Sequence, residues 1–216
     1  MTRAPRAAAP ALAVAAVALV LALGGCAAPG GLGVGEPAPA VSVQPRPEEL
    51  WPAWAVGSPK APGAAVAMQQ PPPEPLPGGP AVPAGGMAAV DPLEVLRADK
   101  RMKPFLARGM ISEPGRAGIR PPVLHDLTGD GRPELVIGAD LESGRSAIAV
   151  YTARDGKVVP VLYTSGRRMA VEALGHDLLV RTAANDGAEQ AVRYRWDGRR
   201  LSVVSDEKRY RKGADL

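Results

Sequence analysis

The sequence predicts a mainly β protein: antiparallel meander or blade-like sheets, with a short N-terminal helical lead-in and a disordered tether before it. Three observations predict this. From residue 119 onward, short β-type runs recur: PPVLHD, ELVIGAD, SAIAVYTA, KVVPVLYTS, RMAVEAL, DLLVRTA, EQAVRYRW and RLSVVSDE, each bounded by turn residues. That is the rhythm of an antiparallel meander. Asp155-Gly156 and Asp197-Gly198 stand between pairs of these runs, and Asp-Gly supplies the positive φ angles of a tight hairpin turn. A gapless repeat also aligns residues 139–156 with residues 181–198, placing Ala149 on Ala191, Val150 on Val192 and one Asp-Gly on the other. A period in the forties is blade-like, but two units do not close a propeller. Within SAIAVYTA, side-chain alternation puts Ile148, Val150 and Thr152 on one face and Ala147, Ala149 and Tyr151 on the other.

The N-terminus has a different composition. Arg3 and Arg6 precede the apolar run ALAVAAVALVLALGG, which ends at LGGC. A charged start, a short apolar stretch and small residues make residues 1–25 an export signal. The run is short for a spanning helix, which needs about 20 apolar residues. Cys26 is the chain's single cysteine, so a disulfide framework is excluded. LGGC resembles the bacterial lipobox. The resemblance implies cleavage before Cys26, diacylglycerol on its thiol and an acyl chain such as palmitate on the new amino group. Each buried acyl methylene contributes about 0.8 kcal/mol, and two chains suffice for stable anchoring. The expected location is therefore the extracytoplasmic face of a cell membrane, held by lipid. With 26 basic against 22 acidic residues the formal charge is +4. These charges are interleaved along the domain, so nucleic acid is not an expected partner.

Residues 26–90 hold the lipidated cysteine and a stretch rich in Pro, Ala and Gly, which predicts a disordered tether. A flexible chain of that length spans roughly 45 Å r.m.s.. One island, ELWPAWAVG, carries Trp51 and Trp54, which are candidates for contact with a partner or the membrane interface. Order is expected from residue 91 to 216. Asp91 as N-cap, Pro92 at N1 and Glu94 at N3 start a helix. Leu93, Leu96, Met102, Phe105 and Leu106 follow at helical spacing, with Pro104 kinking or dividing the segment.

The segment HDLTGDGRPELVIG, residues 125–138, poses the main chemical question. Asp126, Thr128, Asp130, the Arg132 carbonyl and Glu134 occupy alternate positions of a loop with Gly131 at its sixth place. Oxygen donors so spaced converge on calcium, and glycine allows the bend. No bidentate glutamate stands at position 12, and the apolar ELVIGAD makes the loop open a strand instead of a helix. Both a weak calcium site and a metal-free turn fit this pattern. In the second repeat unit, RRMAVEALGHD has no ligand pattern, so at most one metal site is expected.

DLTGDGRPELVIG resembles the acidic loop of FG-GAP and VCBS-type β repeats, which leads into an apolar strand and often holds calcium. The resemblance implies a single such unit here, with the five loop positions above as candidate ligands. Lipobox, Pro-rich tether, helix and one repeat unit together resemble actinobacterial cell-envelope-stress lipoproteins. That implies a non-enzymatic role outside the membrane: modulating the sensor histidine kinase of a two-component system, or stabilising the envelope. A domain binding peptidoglycan or another wall polymer, with calcium structuring its loop, is the alternative. Catalysis is not expected. Cys26 is taken by lipid, no serine lies in a nucleophile-elbow pattern, and His125 and His176 stand alone beside Asp126 and Asp177.

Overall fold

The computed structural model describes residues 45–55, 70, 73–183 and 188–210. The export signal, Cys26 and the stretches 27–44 and 56–69 lie outside the described residues. Among the described residues ten strands form two antiparallel five-stranded sheets, as the mainly β expectation requires. The first contains Gly118–Ile119 (β2), Val123–His125 (β3), Glu134–Asp140 (β4), Arg145–Arg154 (β5) and Lys157–Arg167 (β6), with β4 paired to β2, β3 and β5. The second runs in the order β1-β7-β8-β9-β10: Glu48–Glu49 (β1), Ala170–Leu174 (β7), Asp177–Ala183 (β8), Glu189–Trp196 (β9) and Leu201–Arg209 (β10). The sequence repeat follows this division. Residues 139–156 cover the end of β4, β5 and its turn, while 181–198 cover the same parts of β8 and β9 in the other sheet.

The first sheet is buried on both faces, and the alternation in β5 shows how. Ile148 and Val150 join Val136, Val159 and Val161 against Val171, Leu178, Val180, Val192 and Tyr194 of the second sheet. Ala147, Ala149 and Tyr151 face the other way, onto Met87, Val90, Val95, Leu96, Met102 and Phe105. The small Ala139, Ala147 and Ala149 leave room for those larger side chains. The layers are thus helical cover, first sheet, second sheet. Strand β6 carries a bulge opposite Val150/Tyr151, and Pro160 sits at it. Proline is tolerated there because its missing N–H falls at an irregular point of a strand paired on one side.

The helical cover is shorter than the periodicity predicts. Asp91 accepts the Leu93 N–H at 2.9 Å and Pro92 begins the helix Pro92–Ala98 (α2). This helix stops before Pro104, at Asp99. Asp99 is buried and bound to Arg101 and Tyr151, which takes it out of the helical path. Pro104 instead lies in the first turn of a separate 3-10 helix, Lys103–Arg108.

The boundary at residue 91 needs correction. The compact unit begins at Pro45. Strand β1 pairs with β7, followed by the short helix Pro52–Ala55 (α1), and Trp51 lies in the core, 5% exposed. Further on, the Leu76 N–H donates to Val158 O and the Val82 N–H to Gly156 O, while Ala81 bridges to Lys157. Low charge and many prolines suggested a chain unable to bury area. Yet an extended, proline-stiffened chain suits the open edge of β6, and Leu76, Val82, Met87 and Val90 bury apolar surface as they pass. Trp51→Ala should therefore cost about 3–5 kcal/mol, the range for truncating a buried aromatic. Urea unfolding of the two proteins measures it; a loss within about 0.5 kcal/mol, the range of surface changes, would return the island to the tether.

Candidate functional site

The acidic loop folds back on itself. Asp126 accepts the Gly129 N–H at 2.7 Å with one carboxylate oxygen and the Gly131 N–H at 3.0 Å with the other. Both glycines have positive φ, 77° and 79°, which side chains with a Cβ rarely adopt. Asp130 accepts the Arg132 N–H at 2.9 Å. Although its slight burial pushes the Asp126 carboxyl up, the two glycine N–H groups and nearby His176 hold it below its usual value.

Glu134 does not face the loop's centre. It is 2% exposed and points into the domain, where it accepts the N–H groups of Leu127 and Thr128 at 2.8 and 3.1 Å and the Thr152 hydroxyl at 2.9 Å. The residue expected as the ninth-position ligand is thus the peg that holds the loop to β5. Thr128 Oγ1 is buried without a partner. One hydroxyl does not replace the six to eight oxygens calcium takes. Among the described residues no group of three His, Cys, Asp or Glu side chains is placed to hold a metal. The donor set in this arrangement does not fit a calcium ion, and Asp126, Thr128, Asp130, Arg132 and Glu134 form a self-bonded turn.

The two histidines join this turn to the second sheet. His125 Nε2 lies 2.8 Å from Gly175 O, and His176 Nδ1 lies 2.7 Å from Asp126 O. Each ring faces a carbonyl acceptor, so each nitrogen carries the hydrogen. The sequence marked both residues only as neighbours of aspartates. That they latch the first sheet's loop onto the β7–β8 turn had no local signal.

Trp51 is buried and Trp54 half-buried against the domain. Trp51 Nε1 donates to Pro121 O and Trp54 Nε1 to Asp140 Oδ2, both at 2.8 Å. Between the two rings lies the Arg120 guanidinium, 5.2 and 5.4 Å from their centroids. Arg120 is buried and pairs with Asp140 through Nε and Nη2 at 3.0 and 2.8 Å, and its Nη1 donates to Met169 O. The outer face of the second sheet is charged. Arg181 bridges Glu172 and Glu189, and Asp177 takes Arg193 and Arg195. Hydrogen bonds from Arg195 and Arg193 hold the Asp177 carboxyl below its usual value despite partial burial.

Fold and turn together define a two-sheet β domain whose ionisable clusters are bound among themselves. No protein-family model matches the chain, and no curated protein and no solved structure matches it either. Among the described residues no helix is long and apolar enough to cross a membrane.

Two outcomes follow for the loop. Burial raises the Glu134 carboxyl above its usual value, against the pull of its hydrogen bonds, and the charge of Asp130 adds to the rise. A raised carboxyl stabilises the fold fully below the ordinary glutamate value and loses that contribution as pH climbs through the raised one. Glu134→Gln, whose amide oxygen accepts the same two N–H groups, should flatten stability against pH in that weakly acidic window. Glu134→Ala should cost about 1–3 kcal/mol for each buried N–H it orphans, read by chemical denaturation. The wild-type melting temperature should be the same in millimolar calcium and in chelator; a rise with calcium would mean that the loop rearranges to bind it.

Proposed function

We propose that the protein is a lipid-anchored, extracytoplasmic lipoprotein that acts by contact and not by catalysis, modulating an envelope-stress sensor kinase in the manner of the lipoprotein CseA. The observation that carries this reading is LGGC, a lipobox-like sequence around the single cysteine, placed behind a charged and apolar signal. Two structural features support it. The compact domain starts at Pro45, which leaves residues 27–44 as the connection to the anchor. Its charged outer face, Glu172–Arg181–Glu189 and Asp177–Arg193–Arg195, is a polar surface suited to a reversible contact. Confinement to one membrane face raises the effective concentration of anchored partners, so a weak contact is well occupied.

Cys26→Ser should release the protein from the membrane fraction or leave it as an unprocessed precursor. Normal processing and retention of the variant would remove the anchor from the reading. Deletion of the gene should change a reporter of the envelope-stress response in cells treated with a wall-damaging agent. An unchanged reporter, with and without the agent, would leave the regulatory role without support.

A further inference from the structure

The second sheet ends in a long edge strand, β10, while the other sheet edges are short or covered. Leu76 and Val82 donate to Val158 O and Gly156 O along β6, and Gly109 and Ile111 bond to Ile119 of β2. Strand β1 has two residues and β3 three. Strand β10 has nine, and among the described residues no strand pairs with its outer side. Val203, Val204 and Tyr210, on and just after it, are three of the five large apolar side chains exposed among the described residues. Val204 is the extra residue of a bulge, after which Ser205 to Arg209 pair with β9 without interruption. A regular edge strand invites pairing, and proteins blunt such edges with charge. Here the charges come in blocks: Asp206 and Glu207, then Lys208 and Arg209. A guard of one sign repels every copy of itself. Acids followed by bases repel only a parallel copy. In an antiparallel copy the acidic half of each strand lies beside the basic half of the other.

We propose that β10 is the interface of a two-fold homodimer, in which the β10 strands of two copies pair edge to edge, antiparallel, and join their second sheets into one. A dyad perpendicular to the sheet brings the same surface to both sides and closes the assembly at two. Opposite charges across an antiparallel pair stabilise it, and like charges destabilise it. With the charged blocks overlapped, Val203 and Val204 lie toward the Tyr210 end of the other strand, so apolar surface is covered at both ends of the ladder. Main-chain hydrogen bonds give such a joint its hold, and side-chain order gives its choice of partner. A second copy carries the complementary order by symmetry, which a strand of an unrelated protein does not. A ladder this short buries less area than a permanent dimer, so the dimer is weak and concentration-dependent. Pairing of this kind needs only the folded domain, whatever holds the chain to a membrane.

The test is sedimentation equilibrium of the full chain in density-matched neutral detergent, over a range of loading concentrations. Wild type should dimerise reversibly. Asp206→Lys with Glu207→Lys makes the block all basic, and Lys208→Glu with Arg209→Glu makes it all acidic; each should weaken self-association about tenfold or more. Mixed one to one, the two variants should associate with each other within about threefold of wild-type affinity, which chains that had merely lost their fold would not do. All four substitutions together restore the order with its signs exchanged and should restore the homodimer. Glu74→Lys with Glu94→Lys adds the same charge at exposed positions on the chain and helix that cover the first sheet, and should change affinity by less than about twofold. A wild type that stays monomeric up to about 1 mM overturns the proposal and leaves the edge to a strand of another protein. Reversals without effect, a mixture that stays monomeric, or equal loss in the control pair would overturn it too. Because the readout is self-association in solution, failure here leaves the Cys26→Ser fractionation result standing on its own.

Discussion

The Arg120–Asp140 pair is the interaction on which the rest of the structure rests. Arg120 lies just beyond β2, Asp140 ends β4, Ser146 lies in β5, Trp51 precedes α1, Trp54 lies within it, and Met169 precedes β7. One guanidinium and one carboxylate touch all of them. A buried charge pair is stable only when its remaining hydrogen-bonding capacity is met. Asp140 meets that condition with four donor atoms around its two oxygens, Nε and Nη2 of Arg120, Trp54 Nε1 and the Ser146 hydroxyl at 2.6 Å, while Arg120 Nη1 donates to Met169 O. Loss of either partner would strand a charge at a cost of about 3–5 kcal/mol. The site also explains a glycine. A Cβ on Gly138 would stand 2.6 Å from Arg120 Cδ and 3.1 Å from the Trp51 ring, so this strand position accepts no side chain.

Polar seams recur wherever two layers meet. On the helical side, the Asp99 carboxyl takes Arg101 at 2.9 and 2.5 Å and the Tyr151 hydroxyl at 2.9 Å, so the end of α2 is tied to the middle of β5. Burial pushes the Asp99 carboxyl up, but Arg101 outweighs it and holds the group below its usual value. Burial and the neighbouring Asp99 charge push the Tyr151 hydroxyl well above its usual range, so it stays a donor. On the far side, Glu134 fixes the acidic loop and His125 and His176 latch that loop to the second sheet. These groups specify how the layers align, which apolar contacts alone, being non-directional, do not.

The acidic loop shows why a spacing pattern is an incomplete description. A calcium loop and a bare Asx-type turn share the same first requirements: an aspartate whose oxygens accept following N–H groups and glycines that permit positive φ. Asp126, Gly129 and Gly131 satisfy both. The two differ in where Glu134 points, and that is set by β4. Within ELVIGAD every residue is buried, and the alternation that sends Val136 toward the second sheet sends Glu134 inward with it, to the two N–H groups and the Thr152 hydroxyl.

The sequence by itself determined the strands from residue 123 onward, with their turns and faces, because these depend on near neighbours in the chain. Ile148 and Val150 against Ala147, Ala149 and Tyr151, the Asp-Gly hairpins, the duplicated β4–β5 and β8–β9 units and the Asp91 cap are all local patterns with one physical outcome. Tertiary structure alone decided the fate of residues 45–55 and 73–90. Trp51 and Trp54 sit in a segment whose composition gives no reason to fold, and their partners, Pro121 and Asp140, are 70 and 86 residues away. Arg120 and Asp140 look like ordinary surface charges in sequence. They become a buried bridge because strand register, not composition, sets which charges meet and how much water remains between them.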